Sequence, residues 1–378
     1  MIRVLFLITS LDVGGAEMML LKIVSRMDRS RFEPLVVSLL PPGPVGRMME
    51  DAGVAVQFLN MARGKGSVAA LYRFIALARR FRPHVLSTWL YHADLLGTMA
   101  KPFLPKTALV WNLRCANMDF SRYAALTGRV VKACALLSRV PDAVTANSRA
   151  GLSEHHKIGY RPRREEFIGN GFDTALFRPD DEARAAARRE WGIAPDEPAV
   201  GLFARLDPMK CHGDFFRAAG ILKARMPGLR PILCGDGIAP VNPALSGMIR
   251  ENGLADAAVL LGRRGDMQRL YPGLDVLCSA SLGEGFPNVI GEAMSCGVPC
   301  VATGVGDCRE IIGETGLVAP PADPEALAGA LERILSLSVS ERRLMGRRAR
   351  ERVERLYSIE SVVSGHQELY GALAQSRL

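Results

Sequence analysis

The stretch Ser279-Ala280-Ser281-Leu282-Gly283-Glu284-Gly285-Phe286-Pro287-Asn288-Val289-Ile290-Gly291-Glu292-Ala293-Met294-Ser295-Cys296 sets the fold class of this chain. Directly before it, Leu274-Asp275-Val276-Leu277-Cys278 is apolar enough for a buried strand. Pro287 suits a first helical residue, whose N–H has no partner inside the helix. Strand, glycine loop and helix therefore follow one another directly, which is the unit of an α/β sheet. The free amides at such a helix start attract phosphate. Glu284 falls in the loop and Glu292 more than one turn into the helix. The two carboxylates can then reach opposite ends of a ligand whose diphosphate rests between them, and a sugar nucleotide fits, with one Glu on the sugar and the other on the ribose.

Upstream, Val200-Gly201-Leu202-Phe203-Ala204-Arg205 reads as another buried strand, turning through Asp207-Pro208-Met209-Lys210-Cys211-His212 toward a helix near Gly213. Arg205 can hold phosphate bidentately while Lys210 supplies a compact charge, so together they can neutralise a leaving diphosphate without a metal. At the start of the chain, strand Ile2 to Thr9 leads into Gly14-Gly15-Ala16-Glu17, where two glycines permit close backbone approach to a ligand. This is not the Gly-x-Gly-x-x-Gly dinucleotide fingerprint, which counts against a dehydrogenase. His92 follows the strand pattern ending near Trp89, and its imidazole could hydrogen-bond a sugar hydroxyl. His84, before that strand, reads as structural. Arg114 and Asn147-Ser148 also fall at strand ends.

These segments resemble retaining glycosyltransferases of family 4. The Glu284 to Glu292 spacing matches that family's paired glutamates, Arg205-Leu206 and Lys210-x-His212 match its Arg-Leu…Lys element with Cys211 in place of the usual Gly, and Gly14-Gly15-x-Glu17 matches its amino-terminal loop with Met18 in place of a basic residue. The resemblance implies an α/β, GT-B architecture: two Rossmann-like doubly wound domains facing across a cleft. It places an acceptor-side domain at 1–172, a nucleotide-sugar donor domain at 173–356, and a last helix at 357–378 crossing back, with Asn170-Gly171-Phe172-Asp173 as the interdomain turn. It further implies catalytic roles for His92, Arg205, Lys210 and Glu284. Donor contacts would come from Gly14, Gly15, Arg205, Lys210, Glu284, Gly285, Phe286, Pro287, Asn288 and Glu292, and Arg114 and Asn147-Ser148 would serve the acceptor side or cleft. Same-face attack would use the leaving phosphate oxygen as base, with no metal and no cofactor beyond the nucleotide-sugar donor. The implied product is a cell-surface polysaccharide, built on a glycan or lipid-linked acceptor from a UDP-sugar. A UDP-sugar epimerase on the same fold and a catalytically silent nucleotide-sugar-binding subunit are the alternatives.

At 378 residues, with 48% hydrophobic and 23% charged residues, the chain suits two soluble domains. Its eight cysteines include no Cys-x-x-Cys pair, and no signal or membrane-spanning segment is evident, so a cytoplasmic location is expected. Residues 1–180 hold 25 Lys and Arg against 14 Asp and Glu, a net +11, whereas 181–378 hold 23 against 25, a net −2. Arginines cluster at 79, 80 and 82 and at 161, 163 and 164, and basic residues at 122, 129, 132 and 139 space along a predicted helix. Such a surface suits peripheral attachment to the anionic inner face of the cytoplasmic membrane. Nucleic acid is not expected as a partner, because no aromatic platform, zinc knuckle or helix-turn-helix pattern accompanies the charge.

Overall fold

The computed structural model describes residues 1–115 and 125–377, and Arg122 lies outside the described residues. Two units account for it: residues 1–171 with 359–378, and residues 172–358. Runs such as Val4-Leu5-Phe6-Leu7-Ile8 are apolar at every position, which a strand tolerates only when both of its faces are covered. All five of those side chains are fully buried.

In the first unit the strands are β1 (Ile2–Ile8), β2 (Phe32–Ser38), β3 (Ala55–Phe58), β4 (Val85–Trp89), β5 (Ala108–Leu113), β6 (Ala143–Ala146) and β7 (Glu165–Phe167). Among the described residues they form one parallel sheet in the order β3-β2-β1-β4-β5-β6-β7. In the second unit, β8 (Ala199–Phe203), β9 (Arg230–Cys234), β10 (Val259–Leu260), β11 (Val276–Ser279), β12 (Cys300–Thr303) and β13 (Leu317–Ala319) form a parallel sheet in the order β10-β9-β8-β11-β12-β13. Both orders reverse direction after the first strand, which opens a crevice at the carboxyl ends of the central strands.

Helix Ile359–Gln375 packs in the first unit, where Tyr370 sits edge-on to Phe6 with ring centroids 5.9 Å apart and its hydroxyl 2.9 Å from Ser87 Oγ. In the second unit, helix Val339–Tyr357 sends arginines to helix ends that would otherwise carry bare carbonyls. Arg350 donates to Ser295 O at 2.6 Å, and Arg352 to Ile311 O at 2.9 Å. Its heavy Arg content therefore reflects capping as well as solvation. No helix among the described residues is long and apolar enough to cross a membrane.

One local expectation is corrected. Pro287 is not the first helical residue: the helix is Asn288–Ser295, with Pro287 extended at the N-cap position. Either position suits a residue lacking an N–H. β7 and β13 carry little strand signal, being three residues long and, in Glu165-Glu166-Phe167, mostly polar.

Candidate functional site

In the second unit a cavity of about 380 Å³ opens at the carboxyl ends of β8, β9 and β11, and Arg205, Lys210, Glu284 and Glu292 all line it. The turn after β8 is shaped by Asp207, whose carboxylate accepts from Met209 N at 2.8 Å and caps the short 3₁₀ turn Pro208–Lys210. Cys211 then takes φ +51° and ψ +50°, the left-handed conformation that explains why glycine is usual there. The loop after β11 is tied to this turn by Leu282 N donating to Met209 O at 2.8 Å, and to β12 by Thr303 Oγ1 donating to Ser281 O at 2.5 Å. Behind it, Asp307 N donates to Gly285 O at 3.0 Å. Gly306 allows that approach: a Cβ there would lie 2.4 Å from Glu284 O, and its φ is +54°.

This bracing brings Lys210 Nζ to 2.5 Å from Glu284 Oε1, which also accepts from Ser281 Oγ at 2.6 Å. The pair is sheltered, with side chains 24% and 11% exposed. Arg205 is 68% exposed and bonded to Asp207 at 3.1 Å. Glu292 accepts from the hydroxyl of Tyr271 at 2.8 Å, and Tyr271 is fully buried against Phe203, with ring centroids 5.2 Å apart. Burial first, and the Glu292 charge second, push the Tyr271 phenol well up, so it stays protonated and serves as a donor. Arg263 and Arg264 complete the charged wall, the latter bidentate on Asp266 at 2.8 and 2.7 Å. Four cations face two carboxylates, which leaves the cavity suited to an anion. Among the described residues, no group of three or more His, Cys, Asp or Glu is placed to hold a metal ion.

Gly285, Phe286, Pro287 and Asn288 lie off the cavity wall, which takes Val289 instead. Phe286 is packed inward, stacked 6.2 Å from Phe172 and edge-on at 5.5 Å to Tyr357. Its place is to anchor the loop. In the first unit, Gly14 caps helix Gly15–Arg26, and a Cβ on it would lie 2.3 Å from the Glu17 carboxylate folded beneath. Gly15 has open space where a side chain would be. His92 is the second residue of helix Tyr91–Ala100, after Leu90 at φ +72°, and no described residue hydrogen-bonds its ring. Burial lowers its pKa, so the imidazole is neutral near pH 7. Arg114 lies 4.1 Å over the Trp89 ring and donates to Asn170 Oδ1 at 3.1 Å, burial pushing its pKa down to about 9. Asn147 Nδ2 donates to the same Asn170 oxygen at 3.2 Å, and Ser148 caps helix Arg149–Lys157.

A family profile described as Glycosyltransferase Family 4 matches residues 13–176, and one described as Glycosyl transferases group 1 matches residues 197–337. The chain belongs to glycosyltransferase family 4. The D-inositol 3-phosphate glycosyltransferase of Mycobacteroides abscessus is 32% identical to it over 187 residues, 46% of this chain and 40% of that protein. The N-acetyl-alpha-D-glucosaminyl L-malate synthase of Bacillus anthracis is 27% identical over 232 residues, 61% of this chain and 59% of the relative. The matches thus span less than two thirds of either relative. HepE of Anabaena, solved in complex with UDP, superposes with a TM-score of 0.85 at 24% identity, covering 98% of this chain and all of that one. That likeness establishes the fold: two Rossmann-like domains of the GT-B type.

Within this family 4 chain, sequence reasoning passed over Tyr271, Gly235 and Ser281, all on the cavity wall. Gly235, after β9, lets the chain pass so close to Ala204 O that a Cβ would sit 2.1 Å away. The Cys234-Gly235-Asp236-Gly237 run after a strand was the available signal. Tyr271 offered none, because its partner Glu292 lies 21 positions away.

Proposed function

We propose that this chain is a metal-independent, retaining glycosyltransferase that moves a sugar from a UDP-sugar to a glycan or lipid-linked saccharide acceptor in cell-surface polysaccharide biosynthesis, at the inner face of the cytoplasmic membrane. The observation that carries the reading is the shared cavity of Lys210, Glu284 and Glu292, prepared by Tyr271 and Ser281 before any ligand enters. Residues 172–358 would hold the donor and the first unit the acceptor. Glu292, oriented by Tyr271, would accept hydrogen bonds from ribose hydroxyls. Lys210 would turn from Glu284 to the diphosphate as it departs, joined by Arg205 and the amides of helix Asn288–Ser295. Glu284, released from that ion pair, would take sugar hydroxyls near the anomeric carbon, and the leaving phosphate oxygen would accept the acceptor's proton. The UDP held by HepE supports the choice of base, and the glycosyl-transferring names of both relatives support the reaction class.

The test separates the two carboxylates, because ribose contacts are equal in ground and transition states while sugar contacts strengthen as the bond breaks. Glu292→Ala should weaken UDP binding in calorimetry. Glu284→Ala should retain UDP affinity and lose single-turnover transfer. A chelator should leave the wild-type rate unchanged, since cations of the chain do the neutralising. Equal loss of UDP affinity in both variants, or strict dependence on Mg²⁺, would overturn the assignment.

A further inference from the structure

The first unit has its own hollow, of about 590 Å³, at the carboxyl ends of β1 to β4. It is larger than the charged cavity of the second unit and chemically its opposite. Leu39, Met61, Leu71, Leu96, Leu126 and Val130 are among its walls, and among the described residues no carboxylate is. Apolar side chains continue onto its rim in the open, Val68 being 85% and Met99 51% exposed. Apolar surface left uncovered around a concave site is a mark of binding.

Few polar groups reach this hollow. Ser67 is occupied in capping helix Val68–Phe81, and Arg63 is paired with Asp12 at 2.8 Å. Among the described residues, neither the buried Thr9 Oγ1 nor the ring of His92 has a hydrogen-bond partner. Lys65, on the glycine-flanked segment Gly64-Lys65-Gly66, has no carboxylate partner among the described residues. A free sugar set against Leu and Met walls would leave its hydroxyls without partners, at a cost no contact there offsets. A bilayer prefers an apolar face lying in its plane to a hollow set into the protein.

We propose that this hollow takes the aliphatic chain of an amphiphilic acceptor, with an anionic head group at the Lys65 rim and the group to be glycosylated toward His92. The inference rests on the proposed reading of the first unit as the acceptor side and names the acceptor's class. Among the described residues, Thr9, His92 and Thr127 are groups free to meet the polar part. The charge balance of residues 1–180, 25 cationic against 14 anionic side chains, favours an anionic head.

The experiment titrates the full chain with butyl, octyl and dodecyl phosphate below their aggregation limits, with inorganic phosphate as the chainless control. Affinity should rise about fourfold per methylene until the hollow is filled. Met99→Glu with Leu126→Glu, both at exposed positions compatible with folding, should flatten that rise while leaving the melting temperature and UDP binding intact. Lys65→Ala should lower the affinity of every alkyl phosphate by the same few-fold factor. The proposal is overturned if affinity is independent of chain length, if the double variant binds octyl phosphate like the wild type, if binding appears only with intact vesicles of anionic phospholipid, or if the rim instead pairs two copies of the chain, seen as a doubled mass that octyl phosphate does not dissociate. UDP titration of the same samples keeps the two readings apart: lost UDP binding with the chain-length rise intact would count against the donor chemistry alone.

Discussion

The two units run their parallel strands in the same order, 3-2-1-4 through the centre, yet the ends of those strands carry opposite chemistry. In residues 172–358 they present two carboxylates and four cations, of which Lys210 and Glu284 hold each other, Tyr271 holds Glu292, and Arg205 and Arg264 are bonded to aspartates of their own turns. In the first unit they present Leu, Met and Val with an imidazole that has no hydrogen-bond partner among the described residues. One topology thus supports a rigid polar site and a permissive apolar one, because the sheet supplies only the crevice while the loops supply the groups. Polar groups need fixed partners to be useful when buried, and so the second unit spends many loop contacts on placing a few atoms. An apolar chain needs only volume and the exclusion of water.

The largest test of that contrast is Lys210→Ala. It removes a charge from a sheltered site and leaves Glu284 without its ion pair, so transfer should fall by about 10²-fold or more, on the order of 2 to 4 kcal/mol of transition-state stabilisation. Single-turnover kinetics with a UDP-sugar would measure it, and a wild-type rate would break the assignment of diphosphate chemistry to the second unit.

Sharper, and smaller, is Tyr271→Phe. The ring still packs on Phe203, but Glu292 loses its donor. UDP affinity should drop about five- to tenfold, the net worth of about 1 kcal/mol for one typical intramolecular hydrogen bond, with kcat little changed. Calorimetry decides this, and unaltered affinity would mean that Glu292 needs no preorganisation.

Smallest is Cys211→Gly, which relieves a left-handed residue beside Lys210. The backbone strain is about 1 kcal/mol, partly offset by glycine's greater freedom when unfolded and by the lost Sγ contact to Asp214 at 3.1 Å. A melting midpoint slightly higher, with transfer unchanged, is expected. A marked loss of transfer would show that Cys211 shapes the site rather than merely tolerating its turn.

Much of this was legible because some sequence signals are local. Strands buried on both faces need unbroken apolar runs, and Val4 to Ile8 or Val276 to Cys278 could scarcely be anything else. Residues that leave a strand end into a loop sit at the crevice by construction, which is why Arg205, Lys210, Glu284 and Glu292 could be named from order and spacing, and all four do line one cavity. Within the same stretch, nothing in the string distinguishes a ring that faces a ligand from one that packs inward, and Phe286 stacks on Phe172.

What the chain's order alone determined, then, is the alternation of strands and helices, the family, and the residue types at the strand ends. Tertiary structure decided which of them meet. Lys210 reaches Glu284 across 74 positions, Tyr271 reaches Glu292 across 21, and the apolar hollow gathers side chains from segments between Thr9 and Val130. The reason is one of range: helix and strand periodicity is written in neighbours a few residues apart, whereas hydrogen bonds and packing act through space and depend on distances that only the closed sheet sets.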